Sequence, residues 1–320
     1  MSVRRDGHLD IAPGRDAGPS YSVWFVPVVL AAVLAAALFA VSAGVPQAAF
    51  SAGLFVTLVA VGFALERSFP FERHPRDRPT GVPMEIANSL FNAVLVGQAI
   101  TIGLPLLLTA LVGRATGDAG RNGVGTLPVG LQVLLSFLIM DFARYWVHRW
   151  QHRWYVLWRF HAIHHCIAKV RLSNALFAHP IDYVLRNVLP LLIPMWIGFR
   201  PSAVFVAVAI VQVLGLLTHF NVGHRCGWLS HVLATNENHR WHHNVDPTHG
   251  ADRNFGIGLI VWDILFGTFY LPADPAAPAR MGRDGEAPRG FWDLMVLPFS
   301  RARVGGPLTQ WAEPPQRADS

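Results

Sequence analysis

Residues 128–152 read PVGLQVLLSFLIMDFARYWVHRWQH. Up to residue 147 the stretch carries only two charged side chains, Asp141 and Arg144, and so has the length of about 20 apolar residues that a helix needs to cross a bilayer. Immediately past it stand His148 and His152 at i and i+4, which share one face of a helix. A membrane span that ends in a pair of metal-ligand side chains sets the reading of everything around it.

Working outward, residues 22–43 and 48–65 are uncharged apolar runs on either side of a short turn at Gly44–Pro46, 84–112 is a third span and 128–147 the fourth. Two further apolar runs, 183–199 and 201–218, join at Arg200 and Pro201; the first contains Arg186, Pro190 and Pro194, which predict an interrupted rather than a clean span. Composition agrees. Hydrophobic residues make up 52% of the 320 and charged residues only 14%, against about 25% in soluble domains. The expected fold is an all-α polytopic membrane helix bundle of four to six spans with a cytoplasmic helical cap carrying the histidines. The net charge of +6 is spread over loops and termini without a basic, aromatic-interleaved run, so no nucleic-acid partner is expected. The first apolar stretch is too long for the core of a cleaved signal and reads as a retained anchor. Cys166 and Cys226 read as reduced thiols.

The basic N-terminus and the arginines of loop 66–83 place both in the cytoplasm by the positive-inside rule. Counting spans from there, His148 emerges on the cytoplasmic side, and His179 and His219, bracketing the 183–218 hairpin, lie on the same face. The division expected is a disordered cytoplasmic tail at 1–20, a transmembrane hairpin and basic loop at 21–83, a catalytic domain at 84–272, and a loosely ordered tail at 273–320. The Arg-rich, Lys-poor composition suggests a bacterial source, hence the inner membrane.

Of 15 histidines, 13 lie between His148 and His249, where an even spread would place about 5. His161, His164 and His165 stand at i, i+3 and i+4; His239, His242 and His243 repeat the pattern. On a helix each group shares a face, so each is expected to aim its rings at a common point. Eight imidazoles exceed one ion's coordination sphere, so two ions are expected. The cysteine spacing does not suggest a thiolate zinc site, and no HExxH is present. Carboxylates are sparse within the clusters, so an all-nitrogen pair of sites at a membrane face fits iron and O2 chemistry better than hydrolysis.

The set H148-RWQ-H152, H161-AI-H164-H165 and H239-RW-H242-H243 resembles the histidine boxes of the fatty acid hydroxylase and sterol desaturase superfamily of membrane di-iron oxygenases. LLTHFNV, NENHRWHHN, NFG at 254–256 and WDILFGTFY at 262–270 resemble its bacterial sterol-desaturase-like branch, and the likeness covers roughly residues 85–272. By position it implies the ligands His148, His152, His161, His164, His165, His219, His239, His242 and His243. It implies that His179, in FAHPID, either orients a ligand or lines the substrate path. Asn221 and His224 are alternative completions of the coordination after His219. Asn254 and Asp263 match recurring positions and are expected as acceptors behind ligand imidazoles. The implied cofactors are two iron ions, with zinc as the occupant of a purified form, and O2 as co-substrate. The implied chemistry is hydroxylation or desaturation of a lipid C–H bond on a fatty acyl, sterol-like, carotenoid or amino-acid-containing lipid. Electrons come from a separate donor, a ferredoxin, a cytochrome b5-like protein or a reductase. Asp141, within a span, is expected to have a partner, with Arg144 the nearest. Trp146, Trp150, Trp154 and Trp158 beside the first two boxes read as interfacial anchors in preference to substrate contacts.

Competing readings are an ether-lipid monooxygenase of the same superfamily and, from other classes, a divalent-metal transporter or storage protein and a haem cytochrome. Transporters hold ligands near the midplane on broken helices, whereas these boxes stand at and beyond span ends. Haem needs paired histidines across a bundle.

Overall fold

The computed structural model describes residues 23–72, 81–97, 123–223, 225–246, 251–272, 278, 281–283, 288 and 290–300. The expected tail at 1–20, most of the basic loop, the far part of the expected third span (98–112) and His224 lie outside them. Helices α1 Phe25–Ser42, α2 Gln47–Ser68, α3 Val82–Leu90, α4 Val129–Arg153 and α5 Tyr155–His161 follow in order. They are succeeded by α6 Pro180–Tyr183, α7 Leu189–Ile197, α8 Pro201–Leu217, α9 Asn236–His242, α10 Val261–Leu265 and α11 Phe291–Val296. Among the described residues pairing of the β type is confined to three isolated bridges, Pro70–Val222, Leu233–Leu259 and Asn244–Met281. The all-α class therefore holds.

Three of these helices are long and apolar enough to cross a bilayer: α1, α2 and α4, with mean hydropathies of 2.6, 2.2 and 1.2. The lower value of α4 reflects Asp141, Arg144 and its histidine end. Asp141 is buried, and its oxygens accept from Gly258 N, Leu259 N and Trp262 Nε1, each at 2.9 Å. Its hydrogen-bond partners are therefore a backbone loop and an indole, not the Arg144 that sequence proximity suggested; Arg144 reaches Asn187 Oδ1 at 3.0 Å.

The expected interrupted span runs as helix from Pro180 to Ile197, but with a π turn at Val184–Val188 between α6 and α7. Pro190 has no N–H to continue an α ladder, and the wider turn accommodates that loss. Gly198 ends α7 at φ 102°, a left-handed cap that suits glycine, and Pro201 opens α8 at its first turn.

Helices α1, α4 and α8 pack together around Val26, Val33, Ala37, Phe137, Met140, Val206, Val213, Leu214 and Leu217. A second, smaller core lies beneath the box-bearing segments: Trp158, Ala162, Ile163, Ile167, Phe177, Leu294 and Leu297. The last two belong to α11 and the turn after it, inside the tail read as loosely ordered from its Pro-, Ala- and Arg-rich sequence. Arg159 donates to Pro298 O at 2.5 Å and to the carbonyls of Leu297 and Ser300, and His179 Nε2 bonds Met295 O at 3.3 Å, fastening the segment to α5 and to the turn before α6.

Candidate metal centre

The first box sits on the last turns of α4, where the i, i+4 spacing of His148 and His152 survives as predicted. The second straddles a break: His161 closes α5, whereas His164 and His165 lie in a 3-10 turn, His164–Cys166. The third lies on α9, with His243 at its C-cap. Thr235 starts that helix with a reciprocal capping box: Asn238 N donates to Thr235 Oγ1, and Thr235 N donates to Asn238 Oδ1 at 3.1 Å. His219 follows α8 by two residues.

These elements bring all nine box and inter-box histidines together, none more than 3% exposed. They form two groups, His148, His152, His161, His165 and His242 in one and His164, His219, His239 and His243 in the other. Within each group the ligand nitrogens lie within 4.8 Å of one another. The groups abut: the His165 and His243 rings stack at 4.4 Å between centroids, and His239 and His242 at 5.1 Å.

The expectation that each box serves one point is overturned. His161 and His165 go to the five-histidine focus and His164 to the other; His239 and His243 go to the four-histidine focus and His242 to the first. On α9 the cause is helical geometry; in the second box the turn from α5 into the 3-10 segment produces the same sharing. Consecutive residues diverge by about 100° around the axis, whereas i and i+4 nearly align. In HxxHH the outer pair shares a focus, and the middle histidine looks to the neighbouring one.

Six rings have Nδ1 committed to an oxygen. His148 bonds Phe255 O at 2.8 Å, His164 bonds Phe177 O at 3.0 Å and His242 bonds Arg253 O at 2.8 Å. His152 bonds Asp252 at 2.8 Å, His161 bonds Asp182 at 3.0 Å and His219 bonds Asn174 Oδ1 at 3.2 Å. These oxygens only accept, so Nδ1 carries the proton and Nε2 is left with a lone pair. Burial, the largest influence, pulls His161, His164, His165, His239, His242 and His243 below the ordinary imidazole range and lowers His219 to about 3, so these rings are neutral at pH 7.

The Nε2 atoms nevertheless face each other: His148 and His161 at 3.1 Å, His161 and His165 at 3.1 Å, and His219 and His239 at 2.9 Å. Between His148 and His161 each Nδ1–H is spent elsewhere, so two lone pairs point at one another. His152 Nε2 and His164 Nε2 are buried with no hydrogen-bond partner. Lone pairs converging without a proton between them repel; a cation at each focus turns them into ligands. The donor set fits two nitrogen-ligated divalent metal ions.

The surroundings of the two foci differ. Behind the five-histidine focus stand two carboxylates. Asp182 is fully buried and accepts from His161, from Gln151 Nε2 at 2.6 Å and from Arg186 Nη2 at 2.7 Å. Burial pushes its carboxyl up, but Arg186 and then His161 outweigh that and hold it well below the usual carboxylate range. Asp252 backs His152. Behind the four-histidine focus the acceptors among the described residues are neutral, Asn174 Oδ1 and Phe177 O, and His239 Nδ1 and His243 Nδ1 have no hydrogen-bond partner among them. Sequence reading missed Asp182, Asp252 and Asn174. A signal existed for the first: an Asp–Arg pair at i and i+4 entering an apolar run.

Other expected residues lie one step back. His179 accepts from Ile181 N at 3.1 Å and so caps the helix that carries Asp182. The Asn221 amide is engaged by the Glu72 backbone, Oδ1 accepting from Glu72 N at 3.0 Å and Nδ2 donating to Glu72 O at 3.2 Å. Asn254 donates to Asn238 O and Tyr270 O. Asp263 accepts from Phe255 N and Gly256 N, each at 2.7 Å, and from Thr268 Oγ1 at 2.6 Å. Neither is a direct acceptor behind an imidazole, because the carbonyls of the loop between them fill that place and these side chains shape the loop. Of the four tryptophans, Trp158 is buried against the rings of His152 and His165, whereas Trp150 and Trp154 are exposed and stack on each other at 5.6 Å. Cys166 and Cys226 are free and buried, burial pushes both thiols up to about 12, and neither stands in either focus.

A helical chain with membrane-length helices and two adjacent imidazole foci at the end of one of them defines a class, the membrane histidine-box proteins. Comparison with known proteins narrows it. A model of the fatty acid hydroxylase family matches residues 133–268. The ornithine lipid hydroxylase OlsE of Rhizobium tropici is 32% identical over 278 residues, 86% of this chain and 83% of that protein. Alkylglycerol monooxygenase of Danio rerio is 33% identical over 147 residues, 44% of this chain but 31% of that enzyme, so the chain spans about a third of its length. Sphinganine C4-monooxygenase 2 of Arabidopsis thaliana is 26% identical over 196 residues, 58% of this chain and 71% of that enzyme. No solved structure matches. The chain belongs to the fatty acid hydroxylase family.

Proposed function

We propose that this chain is a membrane di-iron oxygenase that hydroxylates a C–H bond of a lipid, and that the lipid carries an amino-acid headgroup. The observation that carries the metal reading is the pair of buried foci where lone pairs converge, with Nδ1 of six rings already turned away. The lipid class rests on the similarity to an ornithine lipid hydroxylase along 86% of the chain. The likeness to alkylglycerol monooxygenase supports a second reading, oxidation beside an ether oxygen, but over half that span.

His148, His152, His161, His165 and His242 hold one ion and His164, His219, His239 and His243 the other. Two irons there supply reductive activation of O2, one oxygen atom entering the C–H bond and the other leaving as water, with electrons and protons from a separate ferredoxin, cytochrome b5-like protein or reductase. The protein's part is to fix the rings. Asp182, Asp252, Asn174 and three backbone carbonyls lock the tautomers and orient Nε2. Trp158, Phe177 and Phe255 wall the site with apolar surface that keeps bulk water from the rings. By the positive-inside rule the basic N-terminus and the arginines of loop 66–83 support a site on the cytoplasmic face of a bacterial inner membrane.

The test is expression in a bacterium that makes ornithine lipid without modifying it. A lipid gaining one oxygen atom in wild type, and not in a His164→Ala variant, supports the proposal. Oxidation of an added alkylglycerol with ornithine lipid untouched favours the second reading. Metal flux in vesicles without O2 consumption refutes both.

A further inference from the structure

Helix α3 and the π turn Phe91–Val96 that continues it bury polar side chains on an otherwise apolar element: Glu85, Asn88 and Asn92 are 4%, 0% and 0% exposed. Burying such groups is costly unless each is partnered. Their spacing of three and then four residues puts them on one face, and that face meets one short segment, 173–178. Ser173 Oγ donates to Glu85 Oε2 at 2.5 Å, and Ser89 Oγ donates to Ser173 O at 3.2 Å. Asn88 Oδ1 accepts from Ala178 N at 2.9 Å. Asn92 Nδ2 donates to Ala178 O at 2.9 Å, Leu176 O at 3.1 Å and Asn88 Oδ1 at 3.2 Å.

The segment gripped in this way supplies both acceptors that orient rings of the four-histidine focus, Asn174 Oδ1 for His219 and Phe177 O for His164. The five-histidine focus draws on other elements: Asp182 on α6, and Asp252, Arg253 O and Phe255 O in the 251–260 loop, which Asp263 and Asp141 hold by its backbone N–H groups.

We propose that Glu85, Asn88 and Asn92 are positioning residues for one metal ion only, the ion at the four-histidine focus, and that this ion is the more labile of the two. The inference rests on the two-ion reading above. Lability follows from the shells: four nitrogens and neutral acceptors at one focus, five nitrogens and two carboxylates at the other. A backing acceptor typically changes metal affinity by about 10–100-fold. Loosening 173–178 acts directly on two such supports at one focus and on no acceptor of the other.

The test uses purified full-length protein reconstituted with 57Fe. Asn88→Leu and Asn92→Leu are each challenged with a chelator, and iron per chain and the Mössbauer spectrum are recorded. Wild type is expected to retain two irons at a chelator concentration where each variant retains one, the surviving spectrum matching that of a His219→Ala variant. Loss of both irons in parallel, or retention of both at wild-type affinity, overturns the proposal. Hydrogen exchange of the wild-type chain covers the case in which a variant does not fold. The peptide spanning 173–178 should lose protection with the first iron released and residues 252–258 with the second; the reverse order, or simultaneous loss, also overturns it. A wild-type chain that takes up no iron fails the two-ion reading, whereas one that takes up two and releases them together fails this inference alone.

Discussion

Replacing Asp182 by Asn removes one charge from the most densely bonded carboxylate behind the five-histidine focus. Oδ1 receives Gln151 at 2.6 Å, His161 at 3.0 Å and Arg186 Nε at 3.2 Å, and Oδ2 receives Arg186 Nη2 at 2.7 Å. An amide has one acceptor oxygen, so whichever way it turns, its NH2 meets a donor. Arg186, 6% exposed, is left as a buried cation without its counter-charge. Breaking such a pair from one side costs about 3–5 kcal/mol. The effect on the metal is separate: His161 exchanges a carboxylate for an amide or for nothing, expected to weaken iron binding at that focus by about 10–100-fold. The carboxyl lies below its usual range because Arg186 and His161 outweigh burial, so its stabilisation is fully present above about pH 4 and is lost only as pH falls through its lowered value. Thermal unfolding in detergent gives the first quantity and chelator competition the second. A double variant, Asp182→Asn with Arg186→Met, should regain most of the stability, since no unpaired cation remains, but not the affinity. If Asp182→Asn holds iron at the five-histidine focus as tightly as wild type, the account of that carboxylate is wrong.

Substituting His164 by Ala takes a ligand from the four-histidine focus; iron analysis should show one ion lost, with membrane insertion unchanged. Gly256→Ala places a Cβ 2.9 Å from Asp263 Oδ2 and against the Leu259 carbonyl. Overpacking of this kind typically costs about 1–3 kcal/mol, and by displacing Phe255 O from His148 it should also lower iron retention, read by thermal shift and elemental analysis together. Metal-free protein should lose stability as pH falls below about 6.5. His219, lowered to about 3 by burial, stays neutral while its unfolded counterpart takes up a proton, which at pH 5.5 amounts to roughly 1 kcal/mol for this ring. Unfolding midpoints at pH 7.5 and 5.5 measure the loss, and iron added at the lower pH should oppose it.

Much of the centre was legible in the chain before any fold was known. The apolar runs specify helices in lipid because backbone groups there have no other partners. The spacing of His148 and His152, and of His239 and His243, specifies which rings align, since i and i+4 nearly coincide around a helix whatever it packs against, whereas His161 and His165 meet across a break that spacing does not show. What tertiary structure alone decided is how the boxes are shared. His164 and His242 each cross to the focus opposite their own outer pair, His242 because adjacent residues of a helix diverge by about 100° and a second focus happens to lie there, and His164 through the turn from α5 into the 3-10 segment. It also decided what stands behind the rings. Asp182, Asp252, Asn174 and the carbonyls of Phe177, Arg253 and Phe255 come from segments 11 to 107 positions away from the histidines they orient. A carbonyl belongs to every residue and leaves no mark in sequence. The polar face of α3 and the docking of α11 were hidden for the same reason: a side chain's partner is fixed by where the chain returns, and local pattern records only which way it points.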